Sequence, residues 1–183
     1  MNNKKIHQHL WFWIMAMITI TSIGIAAYVV SNDGELPDLK HQKAENNKWH
    51  FKGNTFYAGK LNTTFTKGEI IDGMNDTKIF VLHGNMTNIS KEEADAQAMY
   101  AVVHAYQKTD SKNQKLDPGV PAVNDDFSIP YQSESDNLNQ SVLPGKSVPV
   151  VLEYTIVNNN PITVTFENST FKKVGSKTYN IKS

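Results

Sequence analysis

From Leu10 to Val30 the chain reads LWFWIMAMITITSIGIAAYVV without one charged residue. About 20 such residues in a helix rising 1.5 Å each span roughly 30 Å, the hydrocarbon thickness of a bilayer. The run has no polar face, which argues against a surface helix of a globular core. Trp11, Phe12 and Trp13 at one end and Tyr28 at the other suit the two membrane interfaces, and Lys4 and Lys5 favour a cytoplasmic N-terminus. The pattern predicts an N-terminal signal or anchor helix over 1–31, with Leu10, Trp11, Trp13, Ile18, Ile20, Ile23, Val29 and Val30 as membrane-anchor residues. A cleaved secretory signal is the alternative. Ala26-Ala27 and Val29-Val30-Ser31 stand near a cut, but neither makes an A-x-A, and the run exceeds the usual signal core. Either way, the chain after Ser31 is expected outside the cytoplasmic membrane.

Residues 32–48 form a polar stretch almost free of large apolar groups, which predicts a linker or stalk. From Trp49 onward the apolar period is two. Val148, Val150, Leu152, Tyr154 and Ile156 alternate with Pro149, Val151, Glu153, Thr155 and Val157, and Ile162, Val164 and Phe166 alternate with threonines and Glu167. Asn158-Asn159-Asn160-Pro161 between these runs predicts a tight reversal and a hairpin. Pro149 belongs at an edge or a strand start, because it has no amide proton for a ladder. Lys78 to His83 is apolar on both faces, as a covered central strand would be, and Asp72 to Asp76 before it signals a turn. Met99 to Gln107 is a further strand candidate; Phe51–Ala58, Lys60–Ile71 and Lys177–Ile181 are weaker ones. Ser90 to Glu93 has capping-box spacing ahead of a helix-favouring Ala94–Ala98. Asp110 to Asn139 is rich in Ser, Asn, Asp and Pro and predicts a long irregular excursion. Short strands between turn clusters define an all-β chain, an antiparallel β-sandwich over 49–183 with one short helix.

Composition narrows the partners. Formal net charge is zero, every cation is a lysine and arginine is absent, which argues against nucleic acid as a partner. The chain has no cysteine, so an exported domain must hold together without disulfides, and a lipid-modified cysteine is excluded. Some 150 residues suffice for that.

The order of segments carries a resemblance. A Phe/Tyr-rich opening strand is followed by IFVLHGNMTNIS (Ile79–Ser90) and a strand ending in AYQ (Ala105–Gln107). After a polar excursion come LPGKSVPVVLEY (Leu143–Tyr154) and a final ITVTFEN strand. Thr87-Asn88-Ile89-Ser90, Tyr106-Gln107 and Pro144-Gly145-Lys146-Ser147 hold the places of that pattern's recurring motifs. From Trp49 onward the chain resembles the immunoglobulin-like domains of unknown function in exported proteins and lipoproteins of lactic acid bacteria and their relatives. The resemblance implies an immunoglobulin-like fold and an extracytoplasmic compartment. It carries no established activity and no catalytic residues, and this chain departs from lipoprotein members in lacking the cysteine.

Candidate chemistry is sparse. Gly145-Lys146-Ser147 resembles the end of a P-loop, but Gln140 stands where that motif needs glycine, and a β run follows. His41, His50, His83 and His104 lack metal-ligand spacing, although His83 and His104 are expected on adjacent strands, where they could face one another across a sheet. Asp125, Asp126, Glu134 and Asp136 in the excursion offer oxygen ligands or a carboxylate pair without a D-x-D-x-D-G loop. Glu92, Glu93 and Asp95 fit a helix N-terminus. No G-x-S-x-G elbow is present. Asn62, Asn75, Asn85, Asn88, Asn139 and Asn168 each satisfy N-x-(S/T). Trp49, Phe51, Phe56 and Tyr57 make either an exposed aromatic face or an edge packed into the core. The expected function is a non-enzymatic envelope module without a cofactor, held to the membrane by its N-terminal helix, with an envelope protein, peptide or glycan as partner. An extracytoplasmic enzyme using the excursion's carboxylates and a purely structural domain are the alternatives.

Overall fold

The structure, a computed structural model, describes residues 49–181. The anchor and linker expectations for 1–48, with the eight named anchor residues, lie outside the described residues. No helix among the described residues is long and apolar enough to cross a membrane.

The described chain is mostly antiparallel strand: β1 (His50–Lys52), β2 (Thr55–Ala58), β3 (Leu61–Asp72), β4 (Lys78–Asn88), β5 (Ala94–Asp95), β6 (Val103–Lys108), β7 (Asn113–Lys115), β8 (Ser141–Val142), β9 (Ser147–Thr155), β10 (Ile162–Glu167) and β11 (Lys173–Tyr179). Two short helices are α1 (Met99–Val102) and α2 (Gln132–Asp136). One sheet runs in the order β1-β2-β3-β4-β9 and another β11-β10-β6-β7, while β5 and β8 pair separately.

Period-two patterning explains why both large sheets close on one core. Val150, Leu152 and Tyr154 of β9 and Ile162, Val164 and Phe166 of β10 are all buried in it, with Phe80, Leu82 and Met86 of β4. Phe166 is the central ring. It stacks on Phe51 at 4.0 Å and lies 5.2 and 5.3 Å from Phe56 and Phe65, so the second sheet meets three rings of the first. Burying each such side chain contributes about 2–3 kcal/mol. Across from Phe51 stands Gly175, where a Cβ would come within 2.4 Å of the phenylalanine Cβ. Tyr154 Oη donates to the Val103 carbonyl at 2.9 Å, a buried bond from one sheet to the other.

Lys78–His83 is the central strand expected. Phe80 and Leu82 face the main core, while Ile79 and Val81 form a second cluster with Val151, Ile71 and Tyr131 on the opposite face. Pro149 lies near the start of β9, an edge strand of its sheet. Pro144-Gly145 is a turn, with Lys146 N–H donating to the Leu143 carbonyl at 3.1 Å and Gly145 at φ 67, the left-handed value that a type II turn places on glycine. The P-loop likeness ends there, because β9 follows and not a helix.

Three local expectations are corrected. The β9 and β10 runs are not a hairpin: β9 pairs with β4 and β10 with β6 and β11, so 156–161 carries the chain between sheets. Gln107, fully buried, fixes this crossover. Its Nε2 donates to the carbonyls of Asn158 and Asn160, and its Oε1 accepts from Val157 N–H at 2.8 Å. The strand expected over Met99–Gln107 begins as α1, because Met99 and Val102, three residues apart, bury the same helical face. Nor is Ser90 a helix cap. Asp95 caps the short 3-10 turn Ala96–Ala98 through Gln97 N–H, while Ser90 binds Asn88 and Glu92.

Candidate functional site

Residues 116–140 take an ordered path over the outer face of the five-stranded sheet. Leu116 is buried and its amide donates to Ala105 of β6. The chain then runs along the free edge of β9, with Thr155 N–H donating to Asp117 and Gly119 N–H to Glu153. It reaches the β3–β4 turn, where Met74 N–H bonds Val120 and Ala122 N–H bonds Asp72. Tyr131, at φ 57, folds back over the sheet, and Leu138 is fully buried.

Strand register sets what this segment covers. Glu69 of β3, Val81 of β4 and Glu153 of β9 stand side by side in one row, and Lys67, His83 and Val151 form the next. Glu69 is the hub. One carboxylate oxygen accepts from Tyr131 Oη at 2.6 Å and from His83 Nε2 at 2.7 Å, and lies 3.0 Å from Lys67 Nζ. The tyrosine bond above all, with Lys67 and His83, holds this carboxyl down at about 2. The Tyr131 ring meets the imidazole edge-on at 4.6 Å.

Glu153 is driven the other way. Burial beneath α2 pushes its carboxyl up to about 7, with only a weak opposing bond from Ser135 Oγ to Oε2 at 3.4 Å. Its Oε1 is buried without a protein partner. Two carboxyls tuned apart can mark an acid–base pair. Here the fully buried Val81 stands between them in the row.

The excursion also displays apolar groups. Val120, Val123 and Ile129 are exposed, and Phe127 is 89% exposed. Phe127 occupies the tip of a tight turn at φ 64. Asn124 N–H donates to Ser128, Phe127 N–H donates to Asn124, and Asp126 accepts from Ser128 N–H and Oγ at 3.0 and 2.6 Å.

The sequence-derived candidates are scattered. His41 lies outside the described residues. His83 and His104 are on different sheets, a correction to their expected adjacency: His83 pairs with Glu69, and His104 lies 3.8 Å from Glu167. His50 stacks on Tyr57 at 4.2 Å. Asp126 braces its turn, Asp136 accepts from Gln132 Nε2 at 2.6 Å, and Asp125 and Glu134 join no ligand set. Among the described residues, no group of three or more His, Asp or Glu is placed to hold a metal ion. Glu92 pairs with Lys60 at 2.7 Å. Phe51 and Phe56 pack into the core and Trp49 meets Phe56 edge-on, which leaves Tyr57 outside with His50. Asn88 and Asn168 are buried structural amides. Asn88 Nδ2 donates to Glu92 and Val142, and Asn168 Oδ1 accepts from Thr170 and Lys172. Sequence reasoning missed Glu69, Tyr131, Ser135 and Glu153 as a group. A lone carboxylate inside VPVVLEYTIV was the available signal.

The geometry defines a class: an antiparallel β protein with two sheets on one core and an excursion clamped over an outer face. A family profile described as a domain of unknown function, DUF5067, matches residues 39–168, and the chain belongs to that family. The fold is similar to that of a candidate lipoprotein from Staphylococcus aureus, with TM-score 0.59 and 18% identity, covering 71% of this chain and 90% of that one. It is also similar to a protein from Enterococcus faecalis solved by NMR, with TM-score 0.58 and 18% identity, covering 73% and 93%. No curated protein matches the chain.

Proposed function

We propose that the chain is a non-catalytic recognition module of the cell envelope, an immunoglobulin-like sandwich carried outside the cytoplasmic membrane by its apolar N-terminal segment. The compartment draws support from that segment and from the candidate lipoprotein among its structural neighbours. The sandwich reading draws support from two antiparallel sheets on one core with connections that cross between them.

One observation carries the recognition role: Phe127, almost wholly exposed, on a turn braced by hydrogen bonds among Asn124, Asp126, Phe127 and Ser128 and flanked by Val123 and Ile129. An unpacked aromatic is costly to leave in water, and a rigid turn removes the ordering cost of burying it in a partner. Such a ring is the kind of anchor that fills a pocket at the centre of an interface. The partner is a protein or peptide with an apolar pocket.

A photoreactive residue at position 127 of the full chain, activated on intact cells, should yield a discrete protein adduct, whereas one at exposed Lys112 should not. Equal labelling at both positions, or none at 127, defeats the proposal. Turnover of wall polymer by the purified chain, lost in Asp125→Ala and Asp126→Ala, would replace it with the enzyme reading.

A further inference from the structure

Beside the apolar turn, between β9 and the excursion, lies an open cleft of about 230 Å³. Pro121, Ile129 and Pro130 supply apolar walls, and Gln132, Ser135 and Glu153 are its polar groups. Among the described residues no salt bridge joins Glu153 to a lysine, although the chain has 18 basic side chains, all of them lysines. One of its oxygens accepts only the 3.4 Å contact from Ser135, and the other is buried without a protein partner. A buried carboxylate left in that condition is disfavoured by desolvation, and a cation or a proton relieves it.

We propose that this cleft binds a primary ammonium on an aliphatic chain, the side chain of a partner's lysine, with Glu153 as its counter-ion. The inference rests on the recognition reading above, since it assigns that partner a basic group next to its apolar pocket. Three features select this ligand chemistry. A guanidinium wants two parallel acceptors, whereas one oxygen of Glu153 is engaged by Ser135 and the other is buried, so the pair is not presented together and a compact ammonium suits the acid better. Calcium or magnesium wants six or more oxygen ligands, and this cleft has one carboxylate. The apolar Ile129–Pro130 wall suits the aliphatic stem of a lysine whose head pairs with the acid. The last torsion of a glutamate is soft and nearly two-fold, so either oxygen can be turned toward the cleft. Tyr100 is the titratable neighbour on the α1 side: its hydroxyl bonds Ser135 and its ionisation is opposed by Glu153. Glu69, in the same row, is already satisfied by Tyr131, His83 and Lys67. Burial pushes the Glu153 carboxyl up to about 7, and an ammonium beside it would favour the charged form.

The test uses the full-length chain in detergent micelles, carrying ¹³C at the glutamate side-chain carboxyls. It is titrated with Nα-acetyl-lysine methylamide, its Nε-acetylated form and n-butylammonium. The expected result is a saturable shift of the Glu153 carboxyl with the lysine amide. Its titration midpoint should fall by about one pH unit or more, equivalent to about tenfold tighter binding by the ionised acid. Glu153→Gln should lose the response while the rest of its spectrum stays native, and Glu92→Gln, far from the cleft, should keep it. The inference is overturned by no saturable shift with the lysine amide, by an undiminished response in Glu153→Gln, or by binding of n-butylammonium alone. Tighter binding of the Nε-acetylated form as pH falls would overturn it too, because a protonated acid would then be donating to a carbonyl. Phe127→Ser separates the two proposals. It should abolish partner crosslinking yet leave the amine titration intact, and crosslinking that survives a failed titration sinks only the ammonium site.

Discussion

Glu69 and Glu153 flank the same buried valine, and the protein tunes them in opposite directions by opposite means. For Glu69, donors win: Tyr131 Oη, Lys67 and His83 lower the carboxyl to about 2, below its ordinary 4.5. A folded value below the unfolded one means stability that is complete above about pH 4.5 and lost as pH falls toward 2. Tyr131→Phe removes the largest donor. It should cost about 1 kcal/mol at neutral pH and almost nothing near pH 2, read from urea unfolding at the two conditions. For Glu153, desolvation wins and the folded value rises from 4.5 to about 7. The sign reverses: the native state keeps a proton that the unfolded chain has released, so stability is lost as pH rises from about 4.5 to 7. Glu153→Gln should therefore match the parent at about pH 4 and exceed it above pH 7 by about 1–2 kcal/mol, after allowing for solvent screening of a half-buried group. Thermal melts that run parallel at both pH values would contradict this. Neither carboxyl's role is written locally: Glu69 sits in a polar stretch of β3, and apart from Lys67 its donors come from 14 and 62 residues away.

Elements reveal where period-two reasoning succeeds. The inward residues of β4, β9 and β10 were legible because alternation alone decides which side chains enter a two-sheet core. Pairing partners were not, since Asn158-Asn159-Asn160-Pro161 favours a reversal whether the next strand returns to the same sheet or crosses to the other. Gln107 decides between those outcomes, and it acts from 50 residues upstream by taking up three backbone groups of the crossover. Gln107→Ala leaves those part-buried groups without their partner and should cost about 2–3 kcal/mol. Tyr154→Phe removes one intersheet bond and should cost about 1–2 kcal/mol. If Gln107→Ala proves no worse than Tyr154→Phe by calorimetry, the crossover is held by something other than that amide. The excursion was legible as irregular but not as ordered. Its anchors are backbone bonds to β9, β6 and the β3–β4 turn, and these leave no trace in side-chain periodicity.

At the scale of the whole molecule, a cysteine-free domain with one core has no covalent link to lose, so its integrity depends on burial rather than on redox state. Among the described residues, Phe56, Phe65, Phe80 and Phe166 are all buried in one hydrophobic cluster. A fragment of residues 49–183 should then be soluble, β-rich by circular dichroism and unaffected by reductant; a helical spectrum would contradict the fold itself. Delivery is a separate property, which the proposed function assigns to the apolar run before it. Because lysine at the centre of a membrane helix costs about 3 kcal/mol, Ile18→Lys with Ile23→Lys should keep the full chain in the cytoplasmic fraction while its domain still folds. The parent should partition to the membrane, or to the medium if the segment is cut, and the N-terminal residue of the mature chain tells which. If the doubly substituted chain still leaves the cytoplasm, the run from Leu10 to Val30 is not what carries the domain outward, and the envelope reading loses its strongest support.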